Sequence, residues 1–279
     1  MNTVTISAAE INKLRQATGA GMMDCRKALT ETNGDFEAAI DWLRKQGQKV
    51  AAKRSDREAK EGVVLAKTTD DHKSGIIVCV SCETDFVSKN ADFVAFAQSI
   101  ADAAIKNNVK SLDELNASDV NGSKVSDLVN DKLASIGEKI GVTRFERIDA
   151  PYVASYIHGA NRMGVLVGLN KETREAGKDV AMQIAAMNPV AVDAASVPAE
   201  TIERERNIAI EQMKQDPKMS GKSDDMLGKI AQGKLNAFFK EQTLLAQAFV
   251  KDGSKTVEDY LKSVDKDLKV LEFKRVALG

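Results

Sequence analysis

The sequence has little that would mark a nucleic-acid-binding protein or an exported one. Its 40 basic and 41 acidic residues nearly cancel, so no excess of positive charge points to nucleic acid or to a membrane surface. Only three cysteines occur, an odd number that fits the reducing cytosol better than a disulfide framework. We therefore expect a cytoplasmic protein that binds neither nucleic acid nor membranes.

Long apolar runs and a leader segment are also missing. No run approaches the roughly 20 apolar residues that a membrane-spanning helix needs. Residues 1–6 have neither the basic nor the apolar stretch of a secretory signal. Aromatic residues make up 5% of the chain and hydrophobic residues 43%, while alanine, leucine, lysine and glutamate are plentiful. This composition favours helices around a packed core.

Nucleotide-binding motifs are incomplete. Gly19 and Gly21 lack the preceding strand and the third glycine of a dinucleotide-binding fingerprint. Gly221-Lys222-Ser223 resembles the end of a phosphate-binding loop, but Asp216 stands where that loop requires its first glycine. We therefore expect no direct nucleotide binding by this chain.

Catalytic and metal-binding patterns are equally sparse. Cys79 and Cys82 lie in a strand-like run, and residues three apart on a strand point to opposite faces, so their sulfurs should not converge. His72 and His158 are the only histidines, and no nucleophile motif accompanies them. We expect no enzyme, no catalytic residue, no metal site and no cofactor.

Residues 1–47 predict a bundle of three short helices. Ser7 and Glu10 have the spacing of a capping box, and Gly47 is interpreted as the end of the third helix. The charges that follow are mostly basic, so residues 48–61 are predicted to form a solvated basic linker or an exposed helix.

The core contains an internal repeat. The apolar run that begins at Gly75 matches the run that begins at Gly164, and a Glu-Thr pair follows each glycine at the same offset, at Glu83 and Glu172. A second match relates Val142-x-x-Phe145-Glu146-Arg147-Ile148 to Val270-x-x-Phe273-Lys274-Arg275-Val276. We predict an α+β fold with a duplicated core, each half a small antiparallel sheet with covering helices, at residues 62–137 and 138–279.

An insertion interrupts the second half. Residues 199–241 show two amphipathic helical patterns separated by Asp216-Pro217 and a polar turn at Ser220-Gly221-Lys222-Ser223. This pattern predicts a projecting helical hairpin of the coiled-coil type. Its role as a structural arm or as a partner contact stays open.

The segment Thr84-Asp85-Phe86-Val87 differs between the two copies. It lies between a predicted strand and a predicted helix, and it places a large apolar side chain among polar neighbours. The second copy has Arg174 and Glu175 where the first has Asp85 and Phe86. We interpret Phe86 as the tip of an interaction loop, because a purely structural loop would show the ring in both copies or in neither.

Three motifs carry a resemblance to a known family. They are Gly19-Ala20-Gly21-Met22-Met23-Asp24-Cys25-Arg26-Lys27-Ala28-Leu29, Thr84-Asp85-Phe86-Val87, and His158-Gly159-Ala160 followed by Gly164-Val165-Leu166-Val167. In this order the sequence resembles the bacterial elongation factor Ts family, the guanine-nucleotide exchange factors of the GTPase elongation factor Tu. Residues 33–43 also resemble the last helix of ubiquitin-associated three-helix domains, the fold that the family has at its N-terminus.

The resemblance implies a non-enzymatic exchange factor that promotes GDP release and GTP rebinding during translation elongation. It places Thr84, Asp85, Phe86 and Val87 in a loop that intrudes near the magnesium site of the GTPase. Further partner contacts are implied at three positions of the N-terminal bundle and one of the second half. They are Met22, Met23, Arg26 and His158. Some family members carry a further C-terminal helical module, and we expect its contact to be missing here.

Two other hypotheses follow from the residues. A ubiquitin-associated-like adaptor with a coiled-coil arm would use residues 1–47 and 200–240. A cysteine-based redox enzyme would need a strongly lowered pKa at Cys79 or Cys82.

Overall fold

The N-terminal region is a bundle of three helices in the computed structural model, which describes residues 6–54, 56–216 and 222–279. The helices are α1 (Ala8–Thr18), α2 (Met22–Glu31) and α3 (Phe36–Lys53). The capping box at α1 is present, since the Ser7 N–H donates to the Glu10 carboxylate over 2.7 Å and the Glu10 N–H donates to Ser7 Oγ over 3.2 Å. The bundle buries a small core that includes Leu14, Cys25 and Leu29. Its likeness to ubiquitin-associated domains stays a prediction.

The prediction that the third helix ends at Gly47 is wrong. Helix α3 continues to Lys53 and packs against α7 (Val125–Ile136) of the core. A Cβ at Gly47 would lie 2.9 Å from the Cβ of Ala134. The glycine therefore permits a close helix crossing instead of terminating the helix.

The first half of the core is an antiparallel sheet covered on one face by helices. Its strands β1 (Glu61–Thr68), β2 (Ser74–Cys82) and β5 (Gly141–Asp149) are arranged in the order β1-β2-β5. The outer face is covered by helices, and the main ones are α5 (Ala91–Lys106) and α7. The remaining elements are α4 (Asp85–Ser88), α6 (Leu112–Ala117), β3 (Asp119–Val120) and β4 (Ser123–Lys124).

The second half repeats this plan. Strands β6 (Tyr152–His158), β7 (Met163–Leu169) and β10 (Val270–Ala277) form a sheet in the order β10-β7-β6. Helices α8 (Arg174–Met187) and α11 (Val257–Val264) cover its outer face. A short hairpin, β8 (Ala248–Phe249) and β9 (Asp252–Thr256), precedes α11 just as the β3–β4 hairpin precedes α7. The predicted α+β class and the two antiparallel sheets are confirmed.

Strand β5 corrects one assignment. The predicted limit at residue 137 assigns it to the second half, but it pairs with β2 in the first sheet, with Val78 opposite Phe145. The first half therefore extends to Asp149 instead of ending at residue 137. This agrees with the repeat, because β5 and β10 are each the last strand of their sheet. The other proposed domain limits stay predictions.

The two sheets pack face to face, which the sequence did not predict. A cluster of small and branched apolar side chains from both sheets fills the space between them, including Val64 and Ile77 from the first and Val153 and Leu166 from the second. A Cβ at Gly75 would lie 2.7 Å from Val153 Cγ1. The molecule thus has four layers, with helices outside and two sheets inside.

The insertion folds as two packed helices. They are α9 (Ala199–Gln215) and α10 (Asp224–Gln242), which share a buried strip formed by Ala209, Met213, Leu227 and Ala231. This confirms the predicted helices and their pairing. The predicted turn at Ser220-Gly221-Lys222-Ser223 lies partly outside the described residues. Along the described segments, no helix is both long and apolar enough to cross a membrane.

Candidate interaction site

The segment that carries Phe86 is a single helical turn instead of an irregular loop. Strand β2 ends at Cys82, Thr84 has extended backbone angles as the N-cap, and α4 follows immediately. Asn90 then caps α5 by accepting a hydrogen bond from the Asp92 N–H. Two caps in quick succession therefore isolate one turn of helix between the sheet and its covering helix.

Phe86 projects from this turn into solvent. Its side chain is 85% exposed, the highest value among the large apolar residues that the structure describes as exposed. Val87 turns the other way and packs against the core of the first half. Asp85 forms an ion pair of 2.6 Å with Lys89 one turn later, which lowers the pKa of Asp85. The exposed ring is therefore carried by a turn whose opposite side is anchored.

The base of this turn is held by two glutamates in a reciprocal arrangement. The Glu138 carboxylate, in the turn between α7 and β5, accepts hydrogen bonds from the Glu83 N–H (3.1 Å), the Thr84 N–H (3.0 Å) and Thr84 Oγ1 (2.6 Å). In return, the Glu83 carboxylate accepts the Lys139 N–H over 2.6 Å. Each carboxylate thus binds the backbone beside the other. We call Glu83, Thr84, Glu138 and Lys139 the glutamate clamp.

Two arginines tie the segment after α3 to the glutamate clamp. Arg54 donates to Glu83 over 3.1 Å and Arg57 over 2.9 Å. The hydrogen bond from the Lys139 N–H lowers the pKa of Glu83 most, and the two arginines lower it further. The carboxylate therefore stays charged well below neutral pH. These basic residues, which were predicted to form a solvated linker or an exposed helix, pair with Glu83, and neither this pairing nor the role of Glu138 was predicted. The sequence offered one signal, the acidic Glu83 directly before Thr84.

The predicted contact residues of the N-terminal bundle lie on the exposed face of α2. Met22 is 46% exposed and Met23 is 73% exposed, whereas Cys25 is buried beneath them. Both methionines therefore face solvent. Arg26 is also exposed. The bundle meets the core chiefly through α3 and α7, so these side chains stay accessible.

His158 lies at the exposed end of β6. Its Nδ1 is 3.0 Å from the Tyr156 hydroxyl. The turn that follows docks on the first half, because Arg162 pairs with Glu61 over 2.7 Å. The pKa of Arg162 is raised, mainly by Glu61 and to a smaller extent by Asp85. The β6–β7 hairpin that bears His158 therefore neighbours the Phe86 turn.

The cysteines lack the properties of a redox site. Cys79 faces the opposite sheet while Cys82 faces the helices, which confirms that their sulfurs diverge. Burial raises the pKa of Cys79, and burial together with the charges of Glu138 and Glu61 raises the pKa of Cys82 to about 12. This contradicts the lowered thiol pKa that the redox hypothesis requires.

These features describe a protein with an exposed apolar tip on a base that is held by hydrogen bonds. Over the described ranges, no three side chains of the metal-ligating types come together. The surface instead offers Phe86, Met22 and Met23, large apolar side chains held on ordered helices.

Comparison with known proteins gives the family. The sequence model described as "Elongation factor TS" matches residues 83–279. Elongation factor Ts of Christiangramia forsetii is 50% identical, over 98% of this chain and 99% of the relative. The proteins of the same name from Flavobacterium psychrophilum and Cytophaga hutchinsonii are 46% and 47% identical, each over 99% of both chains. The chain belongs to the elongation factor Ts family.

Proposed function

We propose that this protein is a guanine-nucleotide exchange factor for elongation factor Tu that acts in the cytoplasm during translation elongation. It binds the GDP-bound GTPase, promotes GDP release and leaves when GTP rebinds. The observation that carries the proposal is the exposure of Phe86 on a turn whose base is held by hydrogen bonds. Membership of the elongation factor Ts family supports it.

In the proposed mechanism, Phe86 acts as a wedge. A GTPase of this kind holds GDP through backbone N–H groups around the phosphates and through a magnesium ion on the β-phosphate. A ring inserted beside that site displaces the elements that hold the ion. Thr84, Asp85 and Val87 present the ring, since Val87 anchors the turn and Thr84 fixes its start.

One ring is too small to account for the whole reaction. Burying a phenylalanine contributes roughly 1.5–3 kcal/mol, and each tenfold loss of nucleotide affinity requires about 1.4 kcal/mol. A loss of several factors of ten must therefore draw on a wider interface. We assign part of it to Met22, Met23 and Arg26, and a further contact to His158.

Thermodynamic linkage explains how the factor leaves the GTPase. If this protein weakens GDP binding to the GTPase, GDP weakens binding of this protein by the same factor. Incoming nucleotide therefore drives the factor off, and no chemical step by this chain is needed.

The test is release of a fluorescent GDP from elongation factor Tu, followed by stopped flow at increasing concentrations of this protein. We expect Phe86→Ala to slow catalysed release by about tenfold or more, because the lost burial corresponds to at least one factor of ten. Glu175→Ala is the matched control, since Glu175 is the exposed residue at the equivalent position of the second half. It should leave release within about twofold of the original rate, as is usual for exposed sites.

Two outcomes would contradict the proposal at different levels. An unchanged rate of GDP release with a folded Phe86→Ala variant would show that the ring does not act in exchange. No acceleration by the unaltered protein would remove the exchange function altogether.

A further inference from the structure

Together with Arg54 and Arg57, the glutamate clamp joins three separate parts of the chain at the base of α4. It connects the end of β2, the turn between α7 and β5, and the segment after α3 that leads back to the N-terminal bundle. Six hydrogen bonds to the carboxylates of Glu83 and Glu138 make these connections. We propose that Glu83 and Glu138 are positioning residues, which hold Phe86 in the orientation that acts on the GTPase. This inference rests on the proposed exchange function.

Helix α4 cannot hold its own orientation. It has only four residues, and helices this short are unstable without tertiary contacts. Among the described contacts its N-cap, Thr84, makes no side-chain capping bond, because the hydroxyl donates to Glu138. The direction of Phe86 is therefore set by the packing of Val87 and by the glutamate clamp.

The glutamate clamp also relates Phe86 to the other exposed contact residues. Arg54 and Arg57 follow α3, and α3 belongs to the bundle that presents Met22 and Met23. Glu83 thus links the two proposed contact surfaces through ion pairs that lie two residues from the start of α4. A loss of these bonds should change the geometry of insertion more than the affinity of the wider interface.

In the second half, a carboxylate also lies in the turn between the covering helix and the last strand, but within the described helix α8 there is no exposed ring for it to position. There, Lys171 pairs with Asp265 over 2.7 Å, and Asn170 bonds to the backbone of Asp267 and Lys269. These contacts join the equivalent strand end and turn, but the following helix has Glu175 in place of an aromatic ring. Asp265→Ala is therefore a matched control, which breaks a contact between the equivalent strand end and turn in the half without Phe86.

The experiment separates positioning from binding. Release of a fluorescent GDP from elongation factor Tu is measured at saturating concentrations of each variant, together with the concentration that gives half of the maximal rate. We expect Glu138→Ala to lower the maximal rate about tenfold and to leave the half-saturating concentration within about threefold. Glu138→Gln keeps one acceptor oxygen and should recover part of the rate. Asp265→Ala should match the unaltered protein.

A double-mutant cycle tests whether Glu138 acts through Phe86. In a Phe86→Ala background, Glu138→Ala should lower the maximal rate by less than about twofold, because the side chain that it positions is already absent. Amide hydrogen exchange of residues 84–89 in the free protein should be faster in Glu138→Ala and unchanged in Asp265→Ala.

Three results would overturn the proposal: an unchanged maximal rate with folded Glu138→Ala, an unchanged effect of Glu138→Ala without Phe86, or equal losses with Asp265→Ala. If Glu138→Ala does not fold, Glu138→Gln and Arg57→Ala replace it in the same cycle, and the same criteria apply. Failure of the unaltered protein to accelerate GDP release would reject the exchange function itself. In that case, the hydrogen-exchange comparison would still report whether the glutamate clamp orders α4.

Discussion

The two halves of the core share one frame and differ where each chain leaves its central strand. β2 is followed by the short turn α4 with its exposed Phe86, whereas residues 170–173 connect β7 to the long helix α8, which has Glu175 at the matching position. The helical hairpin is inserted only in the second half. Duplication therefore supplies a symmetric scaffold, and the proposed function depends on the positions where the copies have diverged.

The arginines of the last strands show the same divergence. Arg147 on β5 donates to the carbonyl of Val109, just beyond α5, and Arg275 on β10 donates to the carbonyl of Ala185 in α8. Arg147 also bonds to the Asp149 carboxylate over 2.7 Å. In the second half Ala277 stands in the place of Asp149, and in the described structure Arg275 Nε is buried without a partner.

The largest expected difference concerns these two arginines. Arg147→Ala should lower the free energy of unfolding by about 2–3 kcal/mol, because it removes charge-assisted hydrogen bonds from a side chain that is only 9% exposed. Arg275→Ala should lower it by less than about 1 kcal/mol, since it removes one long bond. Urea unfolding of both variants checks this, and equal losses would mean that the extra partners of Arg147 contribute nothing.

A smaller difference is expected at the glycines between the sheets. An added Cβ at Gly75 would lie within 2.9 Å of both Val153 and Leu166, whereas at Gly164 its nearest contact is 3.1 Å. Gly75→Ala should therefore destabilise the protein by about 1–3 kcal/mol and Gly164→Ala by less. Thermal unfolding of both variants at one fixed pH measures which of them is destabilised more. The reverse order would show that Val64 and Ile77 of the first sheet move less readily than Val153 and Leu166 of the second.

The pH dependence should also distinguish the halves. Arg147 lowers the pKa of Asp149 strongly, so the charged carboxylate stabilises the fold above its unfolded pKa of about 3.9, and this stability is lost as the pH falls further. The difference in stability between the unaltered protein and Arg147→Ala should shrink on acidification from about pH 5 towards pH 2. For Arg275→Ala the difference should stay constant. A constant difference for Arg147→Ala would argue against the ion pair.

The smallest expected effect is on thiol chemistry. Cys79 and Cys82 occupy positions where the second half has Gly168 and Lys171, and all three cysteines of the chain are buried. Native protein at pH 8 should react with a disulfide reagent slower than urea-unfolded protein by about two orders of magnitude or more, because burial suppresses the thiolate. Absorbance of the released thiol follows the reaction. Rapid labelling of one native cysteine would reopen the redox hypothesis.

Local patterns in the sequence predicted the elements and the exposed ring. The common offset from Gly75 and Gly164 to the Glu-Thr pairs identified the two halves, and both glycines lie where the sheets pack together. The capping box of α1 also followed from local spacing. Such features depend on a few neighbouring residues, so a single sequence reveals them.

Contacts between distant segments could not be predicted in this way. Glu83 and Glu138 lie far apart in the chain, and no periodicity relates them. The stacking of the sheets was missed because a continuous apolar run shows burial without naming the surface that covers it. Gly47 was misinterpreted for a related reason, since a close helix crossing and a helix end favour the same residue.

The close crossing at Gly47 sets the direction of α3 relative to the core. At a rise of about 1.5 Å per residue, the segment from Gly47 back to Phe36 is roughly 16 Å long. A tilt of about 10° at the crossing would swing the Phe36 end by roughly 3 Å, within the usual scatter of helix packing angles. A larger side chain at position 47 would therefore shift Met22 and Met23 relative to the core.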